Sequence, residues 1–126
     1  MKNNLRGERR EKQIGAAGLP HLRFYHSASL RKKTLSVLDS LETAADPTSE
    51  REALAEIVLE LTEVGLMYYF VKPVQAAKVG FVAEQSTKLG ITGILRVMGP
   101  VTRRVIGGMG AEQLLLVSNH IRNLMK

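Results

Sequence analysis

The stretch SEREALAEIVLELTEVGLMYYF, residues 49–70, holds two patterns in succession. Leu54, Ile57, Val58, Leu61, Val64, Gly65 and Tyr68 recur at steps of three and four, the period of an α-helix, while Glu52, Glu56, Glu60 and Glu63 take the opposite side. Ser49 with Glu52 three residues on has the form of a capping box, and Glu50 and Glu52 suit the positive end of a helix dipole. Beyond Val64 the polar side ends, because Leu66, Met67, Tyr69, Phe70 and Val71 leave no face for water. A helix that is wet along half its length and dry all round for the rest either enters a core or meets another chain.

Upstream, Ser27 is a candidate N-cap, and Leu30, Thr34, Val37, Leu38, Leu41 and Ala44 line one side of a first helix. The run ADPTSERE separates the two helices at Pro47. Downstream, Pro73 in YFVKPVQ points to a tight reversal. A third helix is then expected over residues 74–98, with Lys78, Gln85, Thr92 and Arg96 on a narrow polar strip. Its small residues, Ala76, Ala77, Gly80, Ala83, Gly90 and Gly93, let another helix come close, which suggests a central place in a bundle. Gly99 and Pro100 end or bend that helix, and Arg103 rejoins the polar strip if it continues. A last helix spans about 111–125, with Leu114, Val117, Ile121, Leu124 and Met125 facing inward and Leu116 outward. The expected fold is all-α, a small bundle of three to four helices over residues 27–126. A basic, loosely packed N-terminal arm over residues 1–26 precedes it.

A chain of 126 residues suits one core. Its apolar content is mainly aliphatic, with three Tyr, three Phe and no Trp, which favours helices over a β-sandwich. The absence of cysteine excludes disulfides, thiolate zinc sites and cysteine nucleophiles and fits a reducing compartment, so a cytoplasmic address is expected. The run LRFYHSAS (residues 22–29) looks like an organellar presequence cleavage region and makes import the alternative. Charged residues interrupt every apolar run that approaches membrane-spanning length. Positive charge dominates residues 1–33, nine against two, and residues 71–126, eight against two, whereas residues 34–70 are acidic, one against eight. Such segregation predicts pairing between the acidic third and a basic neighbour.

Chemistry-bearing constellations are weak. TRRVIGGMGAEQ, residues 102–113, invites a dinucleotide reading, but the third fingerprint glycine, the later acidic residue and a second strand are all missing. A looser anion site from Arg103, Arg104 and the N–H groups of Gly110 and Ala111 remains, against a plain turn between helices. Glu56, Glu60 and Glu63 share a face as di-iron carboxylates do, with no Glu-x-x-His beside them. Ser118 and His120, two apart, point to different sides of a helix and cannot act as nucleophile and base. The expectation is therefore no enzyme, no cofactor and no metal.

The leading functional reading is a helical interaction protein. The apolar, glycine-containing segment 65–110 would self-associate or join a larger assembly, with Leu66, Met67, Tyr69, Phe70 and Leu116 as contact residues. The alternative is polyanion binding, to nucleic acid or an anionic membrane surface, through Arg9, Arg10, Lys32, Lys33, Lys78, Lys88, Arg96, Arg103 and Arg104. Tyr68, Tyr69, Phe70 and Phe81 are expected to converge on one end of the bundle.

Overall fold

The computed structural model describes residues 19–125. Among these residues there are helices and turns and no strand. α1 spans Ala28–Thr43 and starts where the sequence places it: the Ser27 hydroxyl accepts the Leu30 N–H at 3.0 Å. Leu30, Thr34, Leu38 and Leu41 are its buried positions, and Thr34 satisfies its hydroxyl on the Leu30 carbonyl at 2.8 Å.

The start of the second helix differs from the expected capping box. Asp46 takes the cap, accepting from the Thr48 N–H at 3.1 Å and from the Thr48 hydroxyl at 2.7 Å. Pro47 then opens a 3-10 turn, Pro47–Glu50, that leads into α2, Arg51–Leu66. Ser49 faces back toward Asp46, donating to its carbonyl at 2.8 Å. Proline fixes φ and lacks the N–H that a first-turn position would leave unpaired, so the chain begins turning at Pro47 and the cap falls one residue before it.

The reversal expected at Pro73 does not occur there. α2 runs on through a π-helical turn, Met67–Val71, into α3, Lys72–Ala76, with helical backbone at each junction. In the π turn the Lys72 N–H bonds to the Met67 carbonyl, five residues back. Pro73 has no N–H for the carbonyl four residues behind, and its ring would crowd that carbonyl in a regular α-helix. The widened turn supplies the clearance, so the proline is absorbed rather than obeyed. The chain reverses further on, at Lys78 with φ 52° and Gly80 with φ 113°, the latter a conformation open to glycine.

α4 therefore starts at Phe81 and continues unbroken through Gly99 and Pro100 to Gly107. At 27 residues it is about 40 Å long, using the α-helical rise of about 1.5 Å per residue. A turn centred on Gly108 leads to α5, Ala111–Leu124. Leu114 and Ile121 are buried there as expected, but Leu124 faces solvent and the buried position beside Ile121 is Ser118.

The core joins Leu30, Leu38 and Leu41 of α1, Leu54, Ala55 and Ile57 of α2, Leu114 and Ile121 of α5, and Ile106 at the far end of α4. α2 packs against α1 on one side and α4 on another, while α5 lies on α1 and on the 3-10 turn. The central helix is thus α2. α4, expected at the centre, is peripheral: its packing is with α2, the π turn and α3. Small residues permit close approach but do not say from which side, and here α2 and its continuation line one side of α4 while α1 and α5 pack elsewhere.

Candidate interaction surface

Ile91, Gly99 and Ile106 are the buried positions of α4 and form one line along it. Gln85, Thr92, Arg96 and Arg103 flank that line, so the polar strip read from the sequence is real from Gln85 onward. Lys78 belongs to the preceding turn. Arg103 reaches α2, its Nε donating to Glu56 at 3.1 Å. Outside that line, spread over about 160° of the helix at 100° per residue, Val82, Leu89, Ile94, Val97, Val101 and Val105 are 78, 70, 48, 68, 49 and 56% exposed. Arg104 lies among them, and the exposed Arg96 borders Leu89. An amphipathic surface helix normally turns its apolar side inward; α4 turns an apolar side both to α2 and to solvent.

Two helical glycines, Gly90 and Gly93, sit in this outward side, and a Cβ added at either would meet nothing within 4 Å. Each costs about 1 kcal/mol of helix propensity relative to alanine. Packing among the described residues gives no reason for either one. Gly65 is different, because a Cβ there would meet the Phe24 ring at 3.4 Å. Its smallness lets the extended segment before α1 lie on α2.

That contact organises the aromatic end. Phe24 meets Tyr69 edge-on at 6.3 Å between ring centroids, Tyr68 meets Tyr69 at 5.4 Å, and Tyr25 meets Tyr68 at 6.0 Å, with the Lys72 ammonium 5.9 Å from the Tyr68 ring. The expected group is corrected accordingly. Tyr68 and Tyr69 cluster with Phe24 and Tyr25, while Phe70 and Phe81 point to solvent, 55 and 74% exposed. One side of the helix is already taken by the arm, so Phe70, about 100° round from Tyr69, is left outside. The Tyr69 hydroxyl is buried with no hydrogen-bond partner among the described residues.

Of the contact residues read from the sequence, Leu66, Met67 and Tyr69 are half-buried, whereas Phe70 and Leu116 are exposed, Leu116 at 64% on α5. The exposed aliphatic side chains of α4 lie within the segment 65–110 but are not among those contact residues. The signal was available: with Gln85, Thr92, Arg96 and Arg103 confined to a strip, the apolar remainder covers more of the helix than one neighbour can bury.

The basic residues do not converge. Arg9 and Arg10 lie outside the described residues. Lys33 pairs with Glu60 at 2.6 Å, Lys88 with Glu84 at 3.3 Å and Arg103 with Glu56, while Lys32, Lys78, Arg96 and Arg104 are exposed at separate places. Arg122 binds Asp39 at 2.7 Å and Glu42 at 2.8 Å. The acidic third therefore pairs with both basic neighbours, as charge segregation suggests. Its arginine, Arg51, instead donates through Nε to the Met109 carbonyl at 2.8 Å, fastening α2 to the GGMG turn.

At that turn the Gly110 N–H is already taken by the Gln113 side chain at 2.9 Å, and Arg103 points away toward Glu56. The looser anion site has lost two of its parts, and the stretch is a joint between helices. Glu42 is held below the usual carboxylate range, first by the hydrogen bond from Arg122 and then by that from Ser118, whose buried hydroxyl donates at 2.9 Å. Glu84 is also lowered, chiefly by the hydrogen bond from Gln75, 2.8 Å across the reversal. No helix among the described residues is long and apolar enough to cross a membrane. Compared with protein families, curated proteins and solved structures, the chain finds no match.

Proposed function

We propose that the protein is a non-enzymatic helical interaction protein whose contact surface is the outward side of α4, within the segment 65–110. One observation carries this reading: a side of a 27-residue helix offers Val82, Leu89, Ile94, Val97, Val101 and Val105 to solvent with a single charge among them. The largest apolar patch of an ordinary monomer is about 300–600 Å². Six aliphatic side chains, 48 to 78% exposed and accompanied by exposed Phe81 and Met98, make a patch of that scale. The polyanion reading draws less support, because Lys33, Lys88, Arg103 and Arg122 spend their charge on carboxylates of the chain itself.

Size-exclusion chromatography with light scattering tests the proposal. Wild type should elute above the monomer mass, and Val97→Glu, which introduces a charge at the middle of the exposed side, should return it to a monomer with unchanged helicity. A wild type that is monomeric throughout, with no dye-binding apolar surface that Val97→Glu removes, would refute the proposal.

A further inference from the structure

We infer that the end of the molecule formed by the reversal between α3 and α4, with the arm beside it, docks on an anionic lipid bilayer. This site lies past the N-terminal limit of the α4 surface proposed above and does not depend on it.

Exposure picks out this end. Among the described residues the most exposed large hydrophobic side chains are Leu22, Val82, Tyr25 and Phe81, at 86, 78, 77 and 74%. Phe81 and Val82 open α4 directly after the reversal, and Val79 is exposed within it. Leu22 and Tyr25 belong to the arm, which the 6.0 Å contact between Tyr25 and Tyr68 holds against the π turn. The π turn in turn packs on α4, and Gln75 bonds to Glu84 at 2.8 Å, so reversal, π turn and arm make one end of the fold.

Charge decides what this end meets. Residues 19–26 and 64–83 contain Arg23, Lys72 and Lys78 and no Asp or Glu. None of the three cations has a carboxylate partner among the described residues: Lys72 stands 5.9 Å from the Tyr68 ring and Arg23 donates to His21 at 2.8 Å. The carboxylate nearest the reversal, Glu84, is engaged by Lys88 at 3.3 Å. Exposed apolar side chains set among cations without acids are what a surface of anionic headgroups over hydrocarbon takes up.

The order of residues along the hairpin fits the layers of a bilayer. Tyr68 precedes Lys78 by ten residues, about 15 Å at the α-helical rise. With Val79, Phe81 and Val82 at the acyl boundary, Tyr25, Tyr68 and Lys72 stand back at headgroup level, where tyrosine is favoured and the stems of Lys72 and Lys78 carry their ammonium groups toward phosphate. No helix among the described residues is suited to spanning, so the contact is peripheral.

Other occupants fit less well. A second copy docked through the same end would set Lys72 and Lys78 against their like, with no acid in these segments to answer them. A nucleic acid would use the cations but has no use for Leu22, Val79 and Val82, which can neither stack on a base nor bond to phosphate.

The absence of tryptophan makes a clean test. In the full-length chain, Phe81→Trp places one fluorophore at the reversal, and Asn119→Trp places one at an exposed position of α5. On adding vesicles of phosphatidylcholine with phosphatidylglycerol, the first should shift its emission to the blue and the second should not. Vesicles of phosphatidylcholine alone should shift neither. In cosedimentation with the mixed vesicles, Lys72→Gln with Lys78→Gln should weaken binding about tenfold or more, and Phe81→Asp should weaken it at least as much, with helicity unchanged in each. A wild type that stays in the supernatant, or one that cosediments while the tryptophan at 81 keeps its emission in water, would overturn the inference. So would an equal blue shift with phosphatidylcholine alone. Binding of single-stranded RNA that the lysine substitutions weaken, in a chain indifferent to vesicles, would overturn it in favour of nucleic acid. Each of these outcomes leaves the α4 reading standing, since that one is judged from mass in lipid-free buffer.

Discussion

The molecule has two regions that use nearly the same amino acids to opposite effect. In the first, α1, the N-terminal half of α2 and α5 close around Leu38, Leu41, Leu54, Ile57 and Leu114, none more than 1% exposed, and the polar groups caught inside are satisfied. Thr34 bonds to its own helix, and Ser118 bonds to Glu42. In the second, the end of α2, α3 and α4 form a helical hairpin on which no further helix packs broadly among the described residues, and aliphatic residues as greasy as those of the core are exposed. What separates the regions is coverage. α1 and α5, at 16 and 14 residues, cannot cover a helix of 27.

The first way to break that comparison is to truncate one leucine in each region. Leu38→Ala should cost about 2–5 kcal/mol in urea unfolding, as cavity-forming core truncations do. Leu89→Ala, in a Val97→Glu monomer background, should stay within about 0.5 kcal/mol, as exposed substitutions do. Equal losses at the two sites would show that α4 is covered by its own chain.

Acid sharpens the comparison with a smaller effect. Glu42 lies at the edge of the closed region, with its carboxyl held low by Arg122 and Ser118. In the native state it binds fewer protons than in the unfolded chain, so its contribution is present above the unfolded carboxyl range near about pH 4. It is lost as pH falls through the lowered native value. Glu42→Gln should cost about 0.5–1 kcal/mol at neutral pH, the scale of a partly exposed ion pair. The gap between variant and wild type should close in thermal melts below about pH 4. A gap that persists in acid would place the role of Glu42 in packing alone.

These regions were not equally legible in the sequence. The closed one announced itself, since Ser27, the stripe from Leu30 to Leu41 and the stripe from Leu54 to Leu61 obey local rules of capping and period that tertiary contacts then respect. The hairpin was harder, for reasons that can be named. Pro73 reads as a break because a proline forbids a regular α-helical turn, but a π turn upstream removes the conflict, and no residue type announces a π turn. Gly90 and Gly93 read as the marks of a central helix, because sequence shows that a close neighbour is accommodated but not whether the neighbour is in the same chain. Phe24 belongs to the basic N-terminal segment, where no periodicity assigns it a partner, yet its ring packs on Gly65 in the apolar stripe of α2. Arg51, the only base in an acidic third, had no local clue to its partner, a carbonyl 58 residues away.

A side of α4 shaped for a protein partner, rather than merely greasy, should be sensitive to Gly93→Leu. The substitution adds apolar surface, fits open space in the single chain and improves helix propensity by nearly 1 kcal/mol. Sedimentation equilibrium of wild type and variant over the same concentration range is the measurement. The account predicts an associating wild type and a variant whose dissociation constant is about tenfold higher or more, the cost of blocking close approach at the middle of an interface. A variant that associates as tightly as wild type or more tightly, or a wild type that stays at monomer mass, would contradict it.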